Sequence, residues 1–206
     1  MNKLILIGIL TILALGRNYP LFSQCDPKWG NDRVGTSSKT LCQIGCLVSS
    51  SAMALAGTVA KDQNPGTLNK WLTANNGYAG TQYIWSTVNK FGLNFQGFVA
   101  NSQIKSNLDA GNIVIVNVNG GSHWVLAKGY SGNDILVNDP GYSKTSYPIS
   151  GIVDGNSGVY KVSKMPAFLR NLYYSIDGFI TKTFHLQREE ISSPEPAVDT
   201  QLVSQQ

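Results

Sequence analysis

Apolar positions along this chain change their spacing once, close to residue 112. Before that point they recur at helical intervals, and after it they gather into short β-branched runs. Residues 45–56 carry a helical pattern built from small side chains, Cys46, Leu47, Val48, Ser49, Ser50, Ser51, Ala52, Met53, Ala54 and Leu55, with Gly57 as its stop. A helix with so little bulk can lie close to its neighbours on every side, which suits a buried central helix. Asn64 caps and Pro65 opens a second helix through Leu68, Trp71 and Leu72 toward Gly77. Thr81 is placed to cap a segment carrying Ile84, Trp85 and Val88 that stops at Gly92, and Ser102 to open one carrying Ile104 and Leu108 that stops at Gly111. Residues 17–44, poor in periodicity and rich in Pro, Gly, Asp and Ser, read as an entry loop.

The second half predicts sheet. Ile113 to Val118 is too densely β-branched for a surface helix. Asn119-Gly120-Gly121 turns the chain into a strand from His123 to Tyr130, and Ser131 to Asp134 turns it again into Ile135-Leu136-Val137. That is an antiparallel meander. Further strands are predicted at residues 158–162 and 178–184, while residues 166–177 carry no decisive pattern. Helices first and sheet second predict an α+β architecture in two layers.

Composition adds a compartment. Lys3 followed by the uncharged apolar run Leu4 to Leu15, with Ala14 and Gly16 as small residues, reads as a secretory signal peptide over residues 1–16. The run is shorter than the roughly 20 apolar residues of a membrane span, so contact with a membrane is expected only if it stays uncleaved. The domain is then 17–187. A tail over 188–206, rich in Glu, Ser, Pro and Gln, is expected to lack fixed structure. A net charge of +4, scattered without a basic run, argues against nucleic acid as a partner. A monomer is expected.

Three cysteines in a secreted domain leave one thiol unpaired. The economical arrangement joins Cys25 to Cys42 and frees Cys46. Two others stay open at this level: three reduced thiols, or a Cys42–Cys46 pair across one helical turn. Metal is not expected, because Cys42 and Cys46 lack a second ligand pair and the two histidines, His123 and His185, have no metal-like spacing.

Cys46 opens a helix, His123 opens a strand after two glycines, and Asp139 ends the next strand. A helix N-terminus offers partial positive charge and free N–H groups, which favour a thiolate and can donate to an oxyanion. Gly45 would leave room there for a substrate backbone. A histidine with an open face can take the thiol proton, and a carboxylate can orient the imidazole. Each residue also has an ordinary reading: a buried small hydrophobe, a structural strand histidine, and the Asp-Pro-Gly of a common turn.

Several words of the sequence carry a resemblance. They are Gln24-Cys25-Asp26-Pro27-Lys28-Trp29-Gly30, Ile44-Gly45-Cys46, Ser51-Ala52-Met53, Leu68-Asn69-Lys70-Trp71-Leu72, His123-Trp124-Val125-Leu126, Gly129-Tyr130 and Val137-Asn138-Asp139-Pro140. In this order the chain resembles the secreted relatives of the bacteriocin-processing, double-glycine peptidases, cysteine peptidase family 39 of the papain-like group. The resemblance implies a papain-like fold, with a helical N-terminal part whose nucleophile helix packs on a C-terminal antiparallel sheet. It implies Cys46 as nucleophile, His123 as general base and then acid, and Asp139 as orienter. Its fourth residue is a glutamine upstream of the nucleophile that donates to the oxyanion. Where the bacteriocin-processing members carry it, this chain has Thr40, so Gln24 is the candidate from the opening word and Gln43 the nearer alternative.

The expected function is a secreted cysteine peptidase or amidohydrolase acting on peptide or protein substrates, with no cofactor. An inactive papain-like binding module and a thiol acyltransferase or transamidase are the alternatives. Trp29, Trp85 and Tyr142 are candidate pocket walls, with core packing as their ordinary role.

Overall fold

The computed structural model describes residues 18–163 and the backbone of Leu202–Val203. The predicted signal peptide, the strand at 178–184 and most of the tail lie outside those residues. The helical half holds α1 (Leu41–Ile44), α2 (Cys46–Ala56) and α3 (Pro65–Ala74). Strands β1 (Tyr78–Ala79) and β2 (Gln82–Ile84), a 3-10 helix (Trp85–Phe91), β3 (Leu93–Val99), a 3-10 turn (Asn101–Gln103) and α4 (Ile104–Asp109) follow. The sheet half holds β4 (Ile113–Val118), β5 (His123–Ser131), β6 (Asp134–Asn138), β7 (Ser146–Pro148) and β8 (Ile152–Val162). Strand β9 (Leu202–Val203) comes from the tail expected to be unstructured and pairs antiparallel with β2.

The main sheet runs β3-β8-β4-β5-β6-β7, every pair antiparallel. It is the α+β arrangement expected, a helical N-terminal part followed by an antiparallel sheet. The predicted meander is its β4-β5-β6 core, with Val118 opposite His123 and Leu126 opposite Asn138. All six residues of β4 are buried because apolar groups cover both of its faces. Ile113 and Ile115 join the cluster of α2 and α3, while Val114, Val116 and Val118 join Ile104 of α4 in a second one. A small third layer thus lies behind the two expected.

Helix α2 is the buried central helix its small residues predict: every residue from Cys46 to Leu55 is buried. The Ser50 hydroxyl donates to the Trp124 carbonyl at 3.1 Å, tying α2 to β5 one residue beyond His123. Asn64 caps α3 by accepting from the Thr67 N–H, with Pro65 in the first turn.

Other elements differ from expectation. The entry loop contains α1. The segment assigned to Thr81–Gly92 as a helix is strand β2 and a 3-10 helix, because Trp85 is drawn into the core among Tyr83, Phe95, Phe98, Trp124 and Tyr160. Gly158 makes room for it, since a Cβ there would lie 2.1 Å from the Trp85 ring. Strands β3 and β7 were not foreseen, and β8 begins six residues earlier than the predicted strand at 158.

Candidate active site

Cys46 is the first residue of α2, and Gly45 precedes it as the cap. At φ −88° and ψ 13° the Gly45 backbone would suit any L-residue. What forbids a side chain is α1: a Cβ would sit 2.4 Å from the Leu41 carbonyl oxygen and 2.7 Å from the Leu41 side chain. The glycine is therefore needed to bring α1 against the start of α2.

The structure joins Cys25 to Cys42 and leaves Cys46 free and buried. It thereby selects among the three arrangements the sequence left open. No group of three or more metal-ligating side chains occurs among the described residues.

His123 enters β5 after the turn at Asn119, Gly120 and Gly121, all at positive φ. Its Nε2 lies 2.7 Å from Asp139 Oδ1. That leaves Nδ1 as the ring nitrogen able to exchange a proton with Cys46. Asp139 stands just past β6 and keeps its turn role as well, because Oδ1 also accepts from the N–H groups of Gly141 and Tyr142 at 2.9 and 3.0 Å. The two readings of Asp-Pro-Gly are one structure: the turn aims the carboxylate. Its other oxygen accepts from the Tyr147 hydroxyl at 2.7 Å.

Electrostatics follow from these contacts. Burial is the largest influence on His123 and disfavours its charge. The Asp139 hydrogen bond, hydrogen bonding and charge from Cys46, and the Asp139 charge together outweigh it, and the pKa is pushed up to about 9. For Asp139 burial again opposes the charge, and the donors His123, Tyr147 and Gly141 hold the pKa below its ordinary value. The signs for stability differ. The His123 contribution is complete below the unfolded value of about 6.5 and is lost as pH rises through about 9. The Asp139 contribution is present above its unfolded value and is lost as pH falls through the lowered one.

Asp139→Asn tests this assignment. The amide oxygen can keep the three donors on its side, and the Tyr147 hydroxyl can turn to accept from the new NH2. The geometry therefore survives while the charge goes. The His123 titration, followed by NMR in a chain with one other histidine, is expected to fall from about 9 toward 6.5. An unmoved titration would refute the pairing as its cause.

Gln24 lies beside the same ring. A Cβ placed on Gly141 would be 2.9 Å from His123 Cε1 and 3.3 Å from Gln24 Oε1, so all three residues converge. The glutamine is held from several directions. Its backbone N–H donates to the Pro140 carbonyl at 2.9 Å, and its side-chain Nε2 donates to the Cys42 carbonyl at 2.8 Å. Its neighbour Cys25 is bridged to Cys42, and the Trp29 indole N–H anchors Ser23 at 2.8 Å. Asn138, next to Asp139, donates to the carbonyls of Tyr19 and Pro20 and binds the incoming chain along the 138–140 loop. Gln43 is engaged elsewhere: its Oε1 accepts from the Thr40 N–H to close a capping box on α1, exposed at the surface.

Trp29 and Trp85 are buried core residues, whereas Tyr142 is 58% exposed and packs edge-on against His123 at 5.0 Å between ring centroids. Sequence reasoning missed Gly141, Asn138 and Tyr147. A polar residue beside an Asp-Pro-Gly turn was the one available signal, for Asn138.

The structure thus brings together a free cysteine heading a buried helix, a histidine in electrostatic contact with it at the start of a strand, and a carboxylate behind the histidine. The model of the Peptidase C39-like family matches residues 17–161, and the chain belongs to that family. No curated protein matches it. Among solved structures it is similar to a double glycine motif protease from an AMS/PCAT transporter, determined in complex with the leader peptide. The identity is 18% and the TM-score 0.47, covering 72% of this chain and 94% of that one.

Proposed function

We propose that this protein is a secreted cysteine peptidase or amidohydrolase that cleaves peptide or amide bonds through an acyl-enzyme. The observation that carries the reading is the 2.7 Å contact between His123 Nε2 and Asp139, which leaves the other edge of the ring to the free Cys46. His123 takes the thiol proton and the Cys46 sulfur attacks the substrate carbonyl carbon. The C–N bond then breaks, and the leaving amine departs with the proton that His123 returns. Water, deprotonated by His123, releases the acid and restores the thiol. As the first residue of α2, Cys46 has no intrahelical acceptor for its N–H. Together with the second amide hydrogen of Gln24, the first being held by Cys42, it supplies two donors for the oxyanion. The disulfide and the apolar run of residues 4–15 support an extracytoplasmic setting.

Alkylation with iodoacetamide across pH, followed by mass mapping, tests the reading together with a peptide-library digest. One carbamidomethyl group is expected on Cys46, none on Cys25 or Cys42, and blocking Cys46 should stop cleavage. Cleavage that survives complete modification of Cys46 would sink the proposal. Amines added to the digest separate hydrolysis from acyl transfer by the appearance of amine-capped products.

A further inference from the structure

We propose that Tyr147 is a positioning residue for this reaction, its hydroxyl holding one oxygen of Asp139 so that the other stays aimed at His123. The proposal rests on the Cys46–His123–Asp139 reading above. Asp139 is a buried carboxylate, and its four donors are divided unequally. Oδ1 takes His123, Gly141 and Tyr142, while Tyr147 is the donor on Oδ2. A buried oxygen stripped of its donor is costly, and the carboxylate then gains by turning toward some other partner. Any such turn takes Oδ1 off the imidazole. The Tyr147 hydroxyl opposes it from the Oδ2 side, as the Gly141 and Tyr142 N–H groups do from the Oδ1 side.

The position of that hydroxyl is set by the sheet. Tyr147 lies in β7 opposite Ile135 of β6, the strand that ends one residue before Asp139. Its ring is buried in the apolar cluster with Val118, Val125 and Ile135, and the Lys144 ammonium sits 4.7 Å over the ring centroid. The charged and titratable groups around the pair are His123, Lys144 and Tyr142, with the Asn119 side chain also bonding to Tyr147 and Cys46 beyond the imidazole. Burial first, and then Asp139 itself, drive the Tyr147 pKa well above its ordinary value. The phenol therefore stays a donor at every pH at which the protein works.

The test is Tyr147→Phe, which removes one oxygen and keeps the ring. Circular dichroism is expected to stay close to that of the parent, and the melting temperature to fall by a few degrees, because Oδ2 loses its donor. On a peptide taken from the library digest, kcat should fall about tenfold with KM unchanged. The acid limb of Cys46 alkylation by iodoacetamide, which belongs to the coupled Cys46–His123–Asp139 set, should move up by about one pH unit, because an Asp139 that has lost a donor is harder to ionise. A ring that merely packs would leave that limb in place, and a folded variant with an unmoved limb overturns the proposal. A second variant guards the conclusion. In the Asp139→Ala background, which leaves no carboxylate to hold, the same change should cost far less in kcat, and a full, additive loss there also overturns it. Activity persisting in Cys46→Ala would instead condemn the underlying catalytic reading, so the two failures are distinguishable.

Discussion

Cys46→Ala is expected to lower kcat by at least about 10⁵-fold with KM nearly unchanged, because members of such a set act as a unit and little remains when one is lost. The substitution is mild for the fold. Alanine suits a helix start packed among small residues, and loss of the sulfur leaves a space of about one methyl group, costing roughly 1 kcal/mol. A thermal melt should therefore move by only a few degrees. The sharper form of the prediction is non-additivity. In the proposed mechanism His123 moves the Cys46 proton, so His123→Ala should be about as damaging, and the double variant no worse than either single one. Rates measured for all three decide it. Losses that multiply would mean that Cys46 and His123 work in separate steps, contrary to the ring geometry.

Gly45→Ala is expected to destabilise the protein by about 3 kcal/mol, in spite of an ordinary backbone conformation and a change of one methyl group. The obstacle at 2.4 Å is a backbone carbonyl, that of Leu41, which cannot swing aside as a side-chain tip would. The two helices must part. Cys46 is covalently next to the point of collision, so it moves with α2 relative to His123, which α2 reaches through the Ser50–Trp124 hydrogen bond. Urea denaturation and peptide cleavage should thus fail together. A variant of parental stability would show that the close approach of α1 to α2 does not depend on glycine.

Much of the frame was legible because its signals are local. The capped α3, the small-residue α2 and the β4–β6 meander announce themselves through caps, period and turn residues. Cys46, His123 and Asp139 stand out for the same reason, each sitting where a glycine-marked turn ends or begins an element. Strand β3 was hidden by its half-exposed residues and by the bulge at Gly97, whose positive φ of 101° breaks the alternation. Trp85 carried a helical spacing that tertiary aromatic packing overrode. Gln24 and Tyr147 owe their places to contacts that no window can show. One is fixed by a loop more than a hundred residues away, the other by the register of a three-residue edge strand.

The bridge beside Gln24 sets a condition on the environment. This protein holds its three cysteine sulfurs in two opposite states, a free thiol that the proposed reaction needs reduced and a pair joined as a disulfide. The pair is within reach of solvent, for Cys25 is exposed, and it ties down the residue whose amide lies against the imidazole. A reductant that rescues an oxidised Cys46 will, in excess, open the Cys25–Cys42 loop by thiol exchange and loosen Gln24. On the proposed mechanism the working state therefore occupies a bounded window of redox poise, closed on one side by loss of the nucleophile and on the other by loss of the frame around it.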